Sequence, residues 1–72
     1  AIEINAKDAY EYYKKGNILL DINKKVEAIE CFNKAIEINP LYSEAYNNKG
    51  NALSDLNKKS EAIECFEKVI EI

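Results

Sequence analysis

The chain repeats itself with a period of 34 residues. The hexapeptide EAIECF occupies positions 27–32 and returns unchanged at positions 61–66. When residues 9–38 are aligned on residues 43–72, 19 of the 30 pairs are identical, and residues 1–5 match residues 35–39 at the same shift. A fixed period of this length is typical of repeat architectures, in which each unit buries its apolar face against its neighbours. We therefore predict one domain in residues 1–72: the tail of a preceding unit in residues 1–8, a full unit in residues 9–42, and a nearly complete unit in residues 43–72.

Each unit contains two helical patterns with a turn between them. The downstream pattern has apolar residues at the i, i+1, i+4, i+7 and i+8 spacing of one helix face; these are Ala28, Ile29, Phe32, Ala35 and Ile36. Charged residues and Asn33 take the opposite face, where we expect pairs such as Glu30 with Lys34. The upstream pattern has its own stripe of Tyr12, Gly16 and Leu19. The chain therefore predicts four substantial helices.

Asparagine stands where the helices are expected to end. Asn23 and Asn57 can adopt the left-handed conformation that closes a helix, a position that Gly fills more often. Asn39 and Pro40 separate the two units. We predict that Asn39 serves as a cap and that Pro40 lies in the first turn of the next helix, where the missing N–H costs nothing.

Composition excludes several classes of function. All 10 basic residues are Lys, against 13 acidic residues, and the chain has no His. A mildly acidic chain without Arg lacks the electrostatic footprint of a nucleic-acid-binding protein. No apolar run reaches the ~20 residues that a membrane span needs. General acid–base or nucleophilic catalysis needs a positioned base, most often His. We therefore predict a chain that is not an enzyme.

The two cysteines do not form a recognisable chemical site. Cys31 and Cys65 are 34 residues apart and have no further Cys or His to complete a zinc-binding spacing. Equivalent positions on stacked helices lie about 8–10 Å apart, beyond the ~7 Å limit between the Cα atoms of a disulfide. We predict that both thiols are packing residues, and that the chain binds no metal or cofactor. Two unpaired Cys fit a cytoplasmic location.

The residues at fixed positions resemble those of a known family. Tyr12, Lys15, Gly16 and Leu19 at spacings of three, one and three, followed by Ala28-x3-Phe32 and later Pro40, resemble the tetratricopeptide repeat. The resemblance implies an all-α fold, a right-handed superhelical stack of antiparallel helix-turn-helix repeats, here as an α-solenoid fragment. One departure recurs, because Lys15 and Lys49 stand where the family usually has Leu. Their aliphatic stems can cover apolar surface while the ammonium groups reach water.

The resemblance also implies a binding surface. In this family the first helices of successive repeats line a concave groove that holds an extended peptide or a partner helix. The matching positions here are Tyr10, Tyr13, Lys14, Asn17, Leu20 and Asp21 in the first unit, and Glu44, Asn47, Asn48, Asn51, Ser54 and Asp55 in the second. Asn amides both donate to and accept from a peptide backbone, and Tyr offers amphipathic contact area. The alternative is that Asn, which occurs nine times, only caps and solvates the helices.

The charge of these positions favours one kind of ligand over another. Some family members bind a partner's C-terminal carboxylate through two Asn and several basic residues. Asn17 and Asn48 fall on the two Asn positions, but Tyr13 stands at the basic position. The sequence therefore does not support binding of a C-terminal carboxylate in this way. With Asp21, Glu44 and Asp55 against Lys14, the groove suits a neutral or slightly basic ligand.

Two functions follow from these patterns. The first is a non-enzymatic scaffold that binds a protein or peptide on its concave face. The second is self-association as a dimer or a helix-exchanged oligomer, because such units cannot bury their faces alone and end repeats normally carry polar caps. We expect self-association to use the apolar face around Ile63, Ile70 and Ile72, because no solvating helix follows that face in this sequence.

Overall fold

The computed structural model describes residues 6–72, which contain four α-helices and no strand. They are α1 (Ala6–Asp21), α2 (Lys25–Ile38), α3 (Ser43–Asp55) and α4 (Lys59–Glu71). α1 packs against α2 and α3 against α4 as two helical hairpins, and the α2–α3 contact joins the hairpins. The prediction of an all-α stack of helix-turn-helix units is confirmed. Residues 1–5, most of the predicted tail of a preceding unit, lie outside the described residues, and residues 6–8 belong to α1.

Both hairpin turns are closed by an asparagine in the left-handed conformation. Asn23 and Asn57 each have a φ of 65°. The amide of Lys24 donates to the carbonyl of Leu19 at 2.8 Å and that of Asn23 to Leu20 at 3.0 Å. The second turn repeats both bonds with the same lengths. This pair of hydrogen bonds is the Schellman motif, which satisfies helix carbonyls left without partners. The predicted role of Asn23 and Asn57 is therefore confirmed.

The connection between the hairpins differs from the prediction. The backbone amide of Asn39 donates to Ala35 and ends α2, while its side-chain Oδ1 accepts from the amide of Leu41 at 3.1 Å. Such an asparagine side-chain turn favours Pro at the next position, since Pro fixes the φ that the turn requires. Pro40 therefore lies in the turn itself, and α3 begins only at Ser43. The prediction that Pro40 occupies the first turn of a helix was wrong.

The centre of the first hairpin is the ring of Phe32, which is completely buried. Ala28 and Ala35 on the same face of α2 are also completely buried. α1 approaches this ring with Gly16, and a Cβ atom placed on Gly16 would lie 2.5 Å from Cε1 of Phe32. No side chain fits at position 16, because carbon atoms pack at about 3.5–4.0 Å. The second hairpin repeats the contact between Gly50 and Phe66, whose ring is only partly buried.

A further group of core residues lies where α3 meets α2 and α4. Leu53, Ala62 and Cys65 form it, and Ile29 of α2 and Phe66 of α4 pack against it. Cys31 and Cys65 are both free and buried, as predicted for packing residues. Burial raises the pKa of the Cys65 thiol above its ordinary value, Lys49 opposes this, and Glu64 and Glu61 raise it further. The Cys65 thiol is therefore protonated, and unreactive as a nucleophile, at neutral pH.

Some surface details depart from the expectations. Lys34 pairs with Glu37 at 3.6 Å rather than with Glu30, and the second unit repeats the pairing between Lys68 and Glu71. Both pairs are exposed, so they add little to stability. Tyr12, which belongs to the stripe predicted for the upstream helix, keeps 38% of its surface exposed.

We predict that Gly16→Ala and Gly50→Ala destabilise the chain unequally. Ala gains about 1 kcal/mol in helix propensity over Gly, while overpacking a filled core costs about 1–3 kcal/mol. Phe32 has no room to move, so Gly16→Ala should lower the free energy of unfolding by about 1–2 kcal/mol. Phe66 can shift toward solvent, so Gly50→Ala should cost less. Urea unfolding monitored by circular dichroism measures both, with the exposed Ser54→Ala as the control. Stabilisation by Gly16→Ala would contradict the packing described.

Candidate functional site

The candidate site is the shared face of α1 and α3, which we call the groove. The two helices lie side by side, each the first helix of its hairpin. The groove as predicted comprises Tyr10, Tyr13, Lys14, Asn17 and Asp21 on α1, and Glu44, Asn47, Asn48, Asn51 and Asp55 on α3. Three of these are joined by hydrogen bonds between their side chains, and the other seven are exposed.

Asn48 connects the two helices by donating to two groups on α1. Its Nδ2 lies 2.7 Å from Oδ1 of Asn17 and 3.2 Å from the hydroxyl oxygen of Tyr13. All three side chains are half-buried. Tyr13 and Asn17 stand four residues apart on one helix face, so a single amide can reach both. We call these three residues the amide brace.

The amide brace fixes which hydrogen-bonding groups remain for a ligand. An Asn amide has two N–H donors, and both of those on Asn48 are directed to α1, which leaves its Oδ1 as an acceptor. Asn17 accepts through Oδ1 and keeps its own NH2 group. The hydroxyl of Tyr13 accepts from Asn48 and keeps its proton to donate elsewhere. Asn48, predicted as a ligand contact, is thus mainly committed to holding α3 against α1.

Three tyrosine rings lie together at the amide brace, and one of them, Tyr13, belongs to it. The ring centroids of Tyr10 and Tyr13 are 6.4 Å apart and those of Tyr13 and Tyr42 are 5.2 Å apart, with the planes tilted by 37° and 36°. We call these rings the tyrosine cluster. Tyr13 also packs against Phe32, with 6.1 Å between centroids, so the buried core supports the cluster directly. The Nζ atom of Lys14 lies 5.5 Å from the centroid of Tyr10, within the range of a cation–π contact.

Tyr42 was missed by the sequence analysis. It precedes α3 at the end of the inter-hairpin turn and therefore falls outside the helix positions that line the groove. The signal that could have found it is its place two residues after Pro40, where the turn directs the chain back toward α1. Partial burial raises the pKa of Tyr42 above its ordinary value, and the charge of Glu44 adds to this effect, followed by Tyr13 and Tyr10. Tyr42 therefore remains a neutral hydrogen-bonding phenol at physiological pH.

The charged residues divide the groove into two ends. Asp21 and Asp55 are the last residues of α1 and α3, and both are exposed. The tyrosine cluster lies at the opposite end of these helices, beside Lys14 and Glu44. Asn47 and Asn51 are exposed on α3. We call the end that carries Asp21 and Asp55 the acidic end. Two helix C-termini add partial negative charge there, and the lysines of the hairpin turns follow directly in the chain: Lys24, Lys25, Lys58 and Lys59.

The asparagines do not all have the same role. Asn23 and Asn57 close hairpin turns, Asn39 closes α2, and Asn33 is exposed on the outer face of α2. Asn17 and Asn48 belong to the amide brace. The idea that Asn only caps and solvates the helices therefore accounts for some of these residues but not for the two that join α1 to α3.

Other kinds of site are not formed within the described residues. Between Ala6 and Ile72, no three side chains of His, Cys, Asp or Glu are placed to hold a metal ion together. In the same span, no helix has both the length and the apolar character needed to cross a membrane.

The fold and the groove define the class of protein: an α-solenoid built from helical hairpins. Its period, its Gly–Phe contact and its asparagine-closed turns recur in both units. The family model of the tetratricopeptide repeat matches residues 9–42 and again residues 43–72. The chain belongs to the tetratricopeptide repeat family, whose members generally mediate protein–protein interactions.

A solved structure supports the assignment. The chain is similar to MamA in its crystal structure, with a TM-score of 0.87 and 33% sequence identity. The similarity covers 93% of this chain and 39% of the MamA chain, so this chain spans well under half of that protein. No curated protein sequence matches the chain.

We predict that Asn17 and Asn48 are energetically coupled. Asn17→Ala, Asn48→Ala and the double variant should give a coupling free energy of about 0.5–1.5 kcal/mol in urea unfolding, because either substitution removes the same hydrogen bond. Asn51→Ala, one helical turn from Asn48 but exposed, is the control and should change stability by less than about 0.5 kcal/mol. Strictly additive effects of the two substitutions would show that the brace does not form in solution.

Proposed function

We propose that the chain is a non-enzymatic binding module that holds an extended segment of a partner protein in the groove. The observation that carries the proposal is the amide brace, which holds α1 and α3 together beneath accessible side chains. Binding surfaces need such support, because a side chain fixed before binding loses less entropy when the ligand arrives. Asn47 and Asn51, which are exposed on the same helix as Asn48, offer donors and acceptors for a peptide backbone.

The remaining chemistry of the chain is consistent with binding rather than catalysis. The Cys65 thiol, whose pKa is raised by burial, lies inside the protein, and the carboxylates of the groove are exposed and spread over two helices. Such carboxylates lack the burial that would adapt them for proton transfer. The proposal includes a cytoplasmic location, because free thiols such as those of Cys31 and Cys65 are typical of a reducing compartment.

We predict that groove substitutions weaken peptide binding while outer-face substitutions do not. A displayed library of random dodecapeptides is selected on the immobilised chain, and an enriched peptide is measured by fluorescence anisotropy. Asn51→Ala should weaken its binding about five- to tenfold, the effect of losing roughly one hydrogen bond. Asn33→Ala, the same change on the exposed outer face of α2, is the matched control. An unenriched library, or equal effects of the two variants, would refute the proposal.

A second candidate function is self-association through α4. α2 and α4 have nearly the same sequence, but α3 covers α2 while nothing within residues 6–72 covers the corresponding face of α4. Ile29 and Ile36 are half-buried, whereas their copies Ile63 and Ile70 are 55% and 84% exposed. Ile72 is 49% exposed beside them. Since contiguous exposed apolar side chains favour association, a second copy of the chain is the proposed occupant.

The two units indicate which face the second copy uses. α3 buries Ala45 and Ala52 almost completely, whereas α1 carries Glu11 and Ile18 at the same repeat positions, both exposed. α2 packs on α3, and no helix of residues 6–72 packs in the same way on α1, so we assign the two alanines to the face of α3 that meets α2. α1 of a second copy cannot replace α3 on such a surface without burying Glu11. We therefore favour a symmetric contact between two α4 helices over head-to-tail stacking.

We predict a concentration-dependent dimer that Ile70→Glu abolishes. Sedimentation equilibrium over a wide concentration range should show dimerisation of the unaltered chain and a monomer for the variant, because the charge cannot be buried in a symmetric apolar contact. Val26→Glu, a matched change at an exposed apolar position at the start of α2, should leave the association intact. A monomer at every concentration would exclude this second function.

A further inference from the structure

We propose that the groove takes a proline-rich segment of a partner protein in the polyproline II conformation, with a basic residue of that segment at the acidic end. This inference rests on the proposed function, since it requires that the groove bind a peptide, and it adds the chemistry of that peptide. Three features carry it: the tyrosine cluster, the hydrogen-bond donors around the amide brace, and the separation of the aromatic and acidic ends.

The tyrosine cluster has the spacing of a platform for proline rings, with Tyr10 exposed and Tyr13 and Tyr42 half-buried. Neighbouring centroids are 6.4 Å and 5.2 Å apart, close to the ~6 Å that a polyproline II chain advances over two residues. Tyr10 keeps 51% of its surface exposed, although Tyr13 and Lys14 pack beside it. Aromatic-lined grooves select proline-rich segments because the polyproline II chain is already ordered before it binds.

The hydrogen-bonding groups at and beside the tyrosine cluster are mainly donors, which suits a ligand that offers mainly acceptors. A proline-rich segment keeps all of its backbone carbonyls as acceptors but has few backbone N–H donors, because Pro has no N–H. Tyr13 accepts from Asn48, so its own hydroxyl proton is free for a ligand, and Asn17 retains both of its N–H donors. Within the part of the chain that the structure describes, the hydroxyls of Tyr10 and Tyr42 bond to no protein group. The aromatic end therefore presents several donors to an incoming chain of acceptors.

The charges place the basic residue of the ligand. Asp21 follows Tyr13 by eight residues on α1, which is about 12 Å at 1.5 Å per residue, or about four residues of polyproline II. Asp21 and Asp55 form the acidic end together with two helix C-termini. A cation at the tyrosine cluster itself is disfavoured, because the ammonium of Lys14 already lies over Tyr10. The ligand charge thus belongs at the far end of the groove.

The test compares two peptides that differ only in proline. The first is a labelled decaproline extended by two lysines, and the second is an alternating Ala-Gly chain of equal length with the same two lysines. Fluorescence anisotropy should show saturable binding of the proline peptide and binding of the Ala-Gly peptide at least about tenfold weaker, since that peptide must lose more entropy. Raising the salt concentration should weaken the binding, because the lysines meet the acidic end.

Two tyrosines on α1 provide a matched pair of variants. Tyr10→Ala should weaken binding of the proline peptide about five- to tenfold, whereas Tyr12→Ala removes the same side chain from another face of the helix and should change it by less than about twofold. Circular dichroism of both variants checks that the helices persist. Equal losses for the two variants, with the helices intact, would overturn the assignment to the tyrosine cluster.

The remaining outcomes separate this inference from the proposed function. If the two peptides bind equally and Asn51→Ala weakens both, the groove binds peptides without selecting proline, so the inference fails and the proposed function stands. The inference also fails, and the proposed function stands, if the proline peptide shows no saturable binding while a library-selected peptide binds saturably and its binding depends on Asn51. If neither the proline peptide nor any selected peptide binds, both fail.

Discussion

The contact between the Phe32 ring and the backbone at Gly16 is the constraint on which the rest of the structure depends. The completely buried ring lies so close to α1 that no Cβ fits between them, which sets the separation of α1 and α2. The same ring packs against Tyr13, and Tyr13 in turn meets both Tyr42 and Asn48. A residue of the duplicated hexapeptide therefore positions the groove without belonging to it. Core packing and the candidate site are parts of one continuous chain of contacts.

The two units share a framework but have diverged on their groove faces. Tyr10, Tyr13 and Lys14 in the first unit correspond to Glu44, Asn47 and Asn48 in the second, while Gly16, Phe32 and the Asn-Lys-Lys turn have unchanged copies. The aromatic side of the groove thus comes mainly from α1 and the amide side mainly from α3. Asn48 crosses between them, because an amide at its position reaches both a hydroxyl and a second amide. Divergence at these positions is what gives an otherwise repetitive chain a single distinctive surface.

The sequence predicted the framework well because repeated local rules determine it. The helix pair of each unit and the left-handed Asn23 both follow from such rules, and both recur 34 residues later. Pro40 was misplaced because a side-chain bond from Asn39 to Leu41, which no periodicity reveals, lengthens the turn. Tyr42 was missed for the same reason, as its position depends on how that turn folds back toward α1. The amide brace was also beyond prediction, since a bond between Asn17 and Asn48 depends on how two hairpins dock.

Ala45 and Ala52 of α3 stand where α1 has Glu11 and Ile18, and this difference affects how the chain folds. Two hairpins with nearly identical second helices could in principle pair in more than one order, since α2 and α4 offer almost the same face. Such near-degenerate arrangements flatten the energy landscape and slow the search for one structure. Only α3, with its two alanines, can pack closely against both α2 and α4, whereas a charged and a branched side chain on α1 prevent it from taking that central place. These two differences between the units thus favour one helix order over the other.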